Sequence, residues 1–191
     1  MSVYGEPESL PVDESAEDSP MTYYAAGKRG AEAYVTLFDN MGLDTTIFRL
    51  FNVYGPNQNL DNRTQGMVSR YLSYVLNEDE LVIKGSTDRV RDFVYIDDVV
   101  DAWMLTRNAP EAFGETFNVA TGTPTTVGEL VECMLEEAGS PDFPVEVVGG
   151  TPGDQFAIHG DASKLNETLG WSPTVSVEEG LARMVAAEKE L

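Results

Sequence analysis

The sequence predicts an α/β fold with mostly parallel strand pairing. Short runs rich in β-branched and aromatic residues alternate with helical patterns along the whole of the 191 residues. Hydrophobic residues make up 42% of the chain, enough to build a core for one ordinary domain or one and a half small ones. No internal repeat, low-complexity segment or linker interrupts the alternation.

Taken in order, Ser2-Val3-Tyr4-Gly5 reads as the end of a strand entering a turn, and residues 6–20, polar and carrying three prolines, as a loop. The apolar spacing from Tyr24 to Met41 predicts a helix that Gly42 stops. Thr45 to Phe51 predicts a buried strand, parallel to the short strand ending at Val3, and Asn52 to Asn62, with Gly55-Pro56, a long loop. A helix is expected over Met67–Leu76, then strands over Leu81–Ile83 and Arg91–Ile96. Asp97 and Asp98 offer N-caps for a helix from Val99 to Thr106, because their carboxylates can take orphan N–H groups. Thr116–Val119 is a strand. Thr126-Val127-Gly128-Glu129 is a capping box opening a helix to Ala138. Val145–Val148 is a strand, Asp161 caps a short helix ending at Leu169, and Ser176-Val177-Glu178-Glu179 is a second capping box before a terminal helix.

Charge narrows the partners. The chain has 33 acidic and 12 basic side chains, a net −21, spread along its length. Such a surface repels nucleic acid and anionic membranes. Cation binding is one reading of it; adaptation to a salt-rich cytoplasm, where screening relieves self-repulsion, is the reading favoured here. No stretch approaches the roughly 20 apolar residues needed to cross a bilayer, and the N-terminus has no leader pattern. The chain reads as soluble and cytoplasmic. Cys133, the single cysteine, lies among apolar residues and reads as a structural thiol. No metal site is expected, and the lone His159 is given no role.

The sharpest chemical signal is Tyr24-Ala25-Ala26-Gly27-Lys28. Residues at i and i+4 share a helix face. An ammonium one turn away favours a phenolate over a phenol, which would make Tyr24 a general base. In isolation the same spacing also describes an aromatic beside a surface lysine. Its neighbours extend the pattern. Val3-Tyr4-Gly5-Glu6 precedes it. Arg49-Leu50-Phe51-Asn52-Val53-Tyr54-Gly55-Pro56 follows, then Arg91-Asp92-Phe93-Val94-Tyr95-Ile96-Asp97-Asp98-Val99. Phe117-Asn118-Val119-Ala120-Thr121-Gly122 and Pro152-Gly153-Asp154 complete the series.

This ordered set resembles the NAD-dependent nucleotide-sugar epimerase/dehydratase branch of the extended short-chain dehydrogenases, over essentially the entire chain. The resemblance implies a partial Rossmann-like doubly wound sheet plus a small α/β substrate-binding lobe. The Rossmann-like remainder would take residues 1–56 and 88–122, and the lobe 57–87 and 123–191. It implies NAD as cofactor and a UDP- or dTDP-sugar as substrate. Tyr24 would exchange a proton with the sugar 4-hydroxyl. Lys28 would favour the ionised Tyr24 and hold the nicotinamide ribose. Asn52 would bind a substrate phosphate, Arg91 would clamp the diphosphate as a guanidinium suits, and Asp154 would lie near the nucleotide ribose. Tyr54 and Tyr95 read as packing, and Asn118 as a tie between loops. The full-length form would be a homodimer, packed through the helix that carries Tyr34, Val35, Leu37 and Phe38.

Three departures from the family pattern qualify the resemblance. The glycine-rich turn that admits a dinucleotide pyrophosphate is absent, so the first, phosphate-binding half of the fold is expected to be missing. The family's catalytic serine or threonine falls one position before Met1; Ser2 is not its match. Thr151 and Lys84 stand where the family often has an arginine and an aromatic. The expected activity is that of a fragment of a nucleotide-sugar 4-epimerase. A 4,6-dehydratase fragment and a non-catalytic truncated product or sugar-nucleotide-binding remnant are the alternatives. A sheet lacking its first half is expected to expose an apolar patch and a strand edge.

Overall fold

The computed structural model describes residues 1–62, 66–150 and 155–189. Helix α1 (Tyr23–Asn40) leads into strand β1 (Thr46–Leu50), which continues into β2 (Asn52–Tyr54). Then come α2 (Met67–Leu76), β3 (Leu81–Lys84), β4 (Val90–Arg91), β5 (Phe93–Tyr95) and α3 (Ile96–Thr106). The chain ends with β6 (Glu115–Val119), β7 (Thr125–Thr126), α4 (Val127–Ala138), β8 (Val145–Val148), α5 (Ser163–Leu169) and α6 (Val177–Lys189). Three of the four strand pairs are parallel: β1 with β6, β2 with β5, and β3 with β8. Among the described residues, only β4 and β7 pair antiparallel. Helices connect the parallel strands, as parallel pairing requires.

Strands β1 and β2 form one continuous path that changes partner. The Phe51 N–H donates to the Val119 carbonyl at 3.1 Å, and the Asn52 N–H donates to the Asp92 carbonyl at 2.9 Å. Asn52 therefore sits where the chain leaves β6 for β5. Ligands of open α/β sheets collect at such points, outside the carboxyl ends of the strands.

Two apolar cores flank this path. One gathers Val3, Tyr4, Phe51, Val94, Val99, Phe117, Val119 and Trp171 around β1, β5 and β6. The other packs α2, α4 and α6 around Tyr54, Tyr71, Leu72, Phe93, Leu130, Met134 and Leu181. Tyr54 meets Phe93 and Tyr95 edge to face, so both tyrosines of the motifs are packing residues. Cys133 is half-buried at the edge of this core, and burial pushes its thiol up, away from the reactive thiolate.

Four expectations are corrected. Ser2–Tyr4 is a turn of 3-10 helix, not a strand, because the Tyr4 N–H closes onto the Met1 carbonyl at 3.1 Å. The expected parallel pairing of Thr45–Phe51 with a strand ending at Val3 is therefore absent among the described residues; the Met1 amine donates to the Leu50 carbonyl of β1 at 2.8 Å, and the Tyr4 ring packs against Arg49. Asn52–Tyr54 is strand rather than loop. Asp97 and Asp98 lie inside the first turn of α3 and do not cap it. The buried Asp98 carboxylate instead accepts from the Thr174 N–H and hydroxyl at 3.0 and 2.7 Å and from the Val175 N–H at 3.2 Å, tying the chain before α6 to α3. The capping box at Thr126 and Glu129 forms as expected. Asp161 takes the Ser163 N–H at 2.8 Å, although Ala162 is the residue at the cap position.

Large apolar side chains are exposed on two helices. Tyr34, Leu37, Phe38, Met41 and Leu43 are exposed on and after α1, as are Val100, Trp103 and Met104 on α3. Of the residues of α1, only Ala25 is buried. No helix among the described residues is long and apolar enough to cross a membrane.

Candidate active site

The site starts from the cap of α1. The Thr22 hydroxyl accepts the Ala25 N–H at 3.1 Å, which sets the first helical turn and with it the direction of Tyr24. Tyr24 is 64% exposed. The Lys28 ammonium, one turn later, stands 5.4 Å from the centre of the Tyr24 ring, within cation–π range. Both line a cavity of about 920 Å³ between α1 and β1. Every residue from Thr46 to Val53 lines the same cavity, as do Met1, Ser2 and Val3. The cavity is thus a trough along the edge of β1 opposite β6. Asn52 lies at its end, so Tyr24 and Lys28 of α1 and Asn52 of β2 come together around one space.

The Asn52 side-chain amide donates to the Asp92 carbonyl at 2.8 Å, the same oxygen that accepts its backbone N–H. Asp92 is in turn fixed by its own carboxylate, which is fully buried. One oxygen accepts the Thr121 N–H at 2.9 Å and its hydroxyl at 2.8 Å; the other accepts the N–H groups of Gly122 at 3.0 Å and Gly160 at 3.1 Å. Burial pushes the Asp92 carboxyl up, and these donors oppose the shift. A second buried tie runs through Asn118. Its amide donates to the Val12 and Asp161 carbonyls at 3.0 and 3.1 Å, and its carbonyl oxygen accepts the Tyr4 hydroxyl at 2.6 Å. Asn118 joins loops, as expected.

Arg91 lies outside the trough lining, on β4. It is 4% exposed, and its guanidinium donates to the Val90 and Gln155 carbonyls, each at 2.8 Å. Burial, then the neighbouring Arg89 charge, pulls it down to about 10. The Arg91 guanidinium is thus held dry and close to that of Arg89. Asp154 and Thr151 lie outside the described residues.

Sequence reasoning passed over one cluster. Arg49, on β1, donates from Nε and Nη2 to the two carboxylate oxygens of Glu32 at 3.0 and 2.8 Å. Asp18 and Arg29 join the pair. The available signal was Glu32 itself, one helical turn beyond Lys28.

A nicotinamide group fits one end of this arrangement. The trough gives it room beside a tyrosine and a lysine, and the chain has no glycine-rich turn for a pyrophosphate. The comparisons agree in kind. A family model described as GDP-mannose 4,6 dehydratase matches residues 1–184. A UDP-glucose 4-epimerase of Mycolicibacterium smegmatis is 36% identical over 185 residues, covering 96% of this chain and 58% of the relative. The crystal structure of a UDP-glucose 4-epimerase from Thermotoga maritima, with UDP-glucose, superposes with a TM-score of 0.92 at 35% identity over 99% of this chain and 60% of that one. A UDP-glucuronic acid 4-epimerase from Bacillus cereus, bound to UDP-glucuronic acid and NAD, gives a TM-score of 0.88 at 28% identity, over 99% and 59% of the two chains. The chain spans about three fifths of the length of these relatives.

Proposed function

The chain belongs to the NAD-dependent epimerase/dehydratase family of extended short-chain dehydrogenases, and from that premise we propose that it carries the catalytic helix and substrate lobe of a nucleotide-sugar 4-epimerase. The observation that carries the reading is the convergence of Tyr24, Lys28 and Asn52 on one trough. NAD, when bound, would take the hydride from C4 of the sugar and return it to the opposite face. Tyr24 takes the proton of the 4-hydroxyl as the ketone forms and gives it back as the ketone is reduced. Lys28 stands over the Tyr24 ring and holds the nicotinamide ribose. Asn52 and Arg91 bind the phosphates of a UDP- or dTDP-sugar, and Asp154 lies near the nucleotide ribose. Residues 1–56 and 88–122 serve the cofactor side, and 57–87 and 123–191 the sugar-nucleotide side.

The cofactor's phosphates and adenosine need a second half carrying the glycine turn, which would lie along the free edge of β1. The similarity to UDP-glucose 4-epimerases supports epimerisation. The description of the matching family model favours a second reading, 4,6-dehydration. Product analysis separates them. With a cofactor-binding half supplied, UDP-glucose and NAD are expected to yield the 4-epimer, and Tyr24→Phe to abolish it. A 4-keto-6-deoxy product would replace the epimerase reading with the dehydratase one, and an undiminished Tyr24→Phe enzyme would remove Tyr24 from the chemistry.

A further inference from the structure

We infer that Arg49 is a positioning residue that keeps the Lys28 ammonium on Tyr24 by occupying Glu32; the inference rests on the reading of Tyr24 and Lys28 as the reacting pair. Tyr24, Lys28 and Glu32 follow one another at intervals of four along α1, so they share a face. Lys28 thus stands between an aromatic ring and a carboxylate, and a lysine–glutamate pair at this spacing attracts. In the structure the ammonium lies over the ring, 5.4 Å from its centre. Glu32 is engaged elsewhere, with both carboxylate oxygens taken by the fork of Arg49.

The arrangement is neutral within itself. Arg49 Nη2 also lies 2.9 Å from Asp18. Arg29 Nε lies 2.5 Å from Asp18, and Arg29 Nη1 lies 3.6 Å from Glu32. Two carboxylates meet two guanidiniums; the Met1 amine, which also faces Arg49 and Glu32, is pulled down to about 5 by burial first and by Arg49 second and adds no charge at neutral pH, so Lys28 is left as a cation outside the set. The Arg49 and Glu32 side chains are 8% and 12% exposed, so water screens them little. Arg49 is fixed from the other side as well. It packs 4.7 Å from the centre of the Tyr4 ring, and the Tyr4 hydroxyl is anchored on Asn118. Burial alone would lower the Arg49 guanidinium's affinity for its proton, but hydrogen bonds to Glu32 and Tyr4 raise it well above the ordinary arginine value. The bidentate geometry is one that a lysine could not supply.

Without Arg49 the set carries one uncompensated, largely buried negative charge. Such a charge draws in a cation. Lys28 is one turn from Glu32 on the same face and its stem is flexible, so it swings from Tyr24 to Glu32. The catalytic tyrosine then loses its ammonium although no group touching it has been replaced.

The test is nuclear magnetic resonance on the full chain with its lysines labelled at Cε. The sequence has only Lys28, Lys84, Lys164 and Lys189, so four signals are expected, and Lys28→Arg assigns the one of interest. In the wild type that signal is displaced upfield by the Tyr24 ring, and Tyr24→Leu removes the displacement. Arg49→Gln is expected to remove it too, and Glu32→Gln added to Arg49→Gln to restore it. Restoration is the outcome that a merely structural role for Arg49 would not produce. A folded Arg49→Gln chain with the displacement intact overturns the inference, as does a double variant that fails to recover it. If Arg49→Gln does not fold, Arg49→Lys is used. A single ammonium cannot fork, so a reduced displacement, recovered by Glu32→Gln, is expected, and an unchanged one overturns the inference. The readout needs no turnover, so its failure leaves the epimerase reading standing, and failure of that reading leaves this signal measurable.

Discussion

Replacing Asp92 by asparagine tests the buried tie beneath Asn52 without changing its shape. The carboxylate accepts four hydrogen bonds, two on each oxygen. A carboxamide has one oxygen. With that oxygen toward Gly122 and Gly160, the new NH₂ group points at the Thr121 N–H. The Thr121 hydroxyl can turn and accept from it, but the Thr121 N–H is left without an acceptor. One orphaned buried donor costs about 1–3 kcal/mol, and the other bonds lose the strengthening that a charged acceptor gives. Relief of the buried charge offsets part of this, as the upward push on the Asp92 carboxyl implies. The net expectation is a loss of about 2–4 kcal/mol. For 191 residues the unfolding entropy near Tm is about 0.4 kcal/mol/K, so Tm should fall by about 5–10 °C. Scanning calorimetry in molar salt measures the shift, and amide exchange at Asn52 and Thr121 should quicken alongside it. A variant that melts within about 2 °C of the wild type, with exchange unchanged, would refute the reasoning.

Other perturbations follow from the same coordinates. Gly180 sits inside α6 with a would-be methyl in the Tyr54 ring, so Gly180→Ala should destabilise by about 1–3 kcal/mol through overpacking. Gly30 has open space around its Cβ position and lies within α1, so Gly30→Ala should stabilise by about 0.5–1 kcal/mol; urea midpoints show whether the signs differ. The exposed Tyr34, Leu37 and Phe38 of α1 should make the chain associate in molar salt, and light scattering that reports a clean monomer there would contradict this. Thr126 holds Glu129, and Ser15 holds Asp13, below the usual carboxylate range. Both folded values are depressed, so this stabilisation is present above the unfolded values of 4.5 and 3.8 and is lost as pH falls through the folded ones. The gap in urea midpoint between wild type and Glu129→Gln should therefore close on acidification below about pH 4.

Local chemistry was legible in the sequence, and long-range pairing was not. Helix α2 and the Thr126–Glu129 capping box needed only apolar spacing and a side chain three residues from its partner. Thr116–Val119 stood out as a β-branched and aromatic run, and β6 covers it. Ser2–Tyr4 looked like a strand because of its residue types, but a strand exists only if a neighbour takes its backbone groups, and Tyr4 closes onto Met1 instead. Asn52–Tyr54 was hidden in the opposite way, since Gly55-Pro56 advertises a turn while the pairing that makes β2 a strand comes from β5. Asp98 resembled a helix cap because its partners, 76 and 77 residues away, leave no local trace. The site divides along the same line. The i, i+4 spacing of Tyr24 and Lys28 could be read directly. The approach of Asn52 to the same trough, and the hold of Arg49 on Glu32, belong to the packing of β1 against α1.

The central claim is that this chain holds the catalytic helix and the sugar-nucleotide lobe while the cofactor's phosphates need a further half. Its most direct test compares turnover of UDP-glucose, with NAD present, by the 191-residue chain alone and by the chain supplied with a family half that carries the glycine turn and the catalytic serine. Binding energy from the pyrophosphate and adenosine positions the nicotinamide, so the account predicts no 4-epimer from the chain alone and 4-epimer from the complemented pair. Epimerisation by the chain alone, with no partner protein, would contradict it.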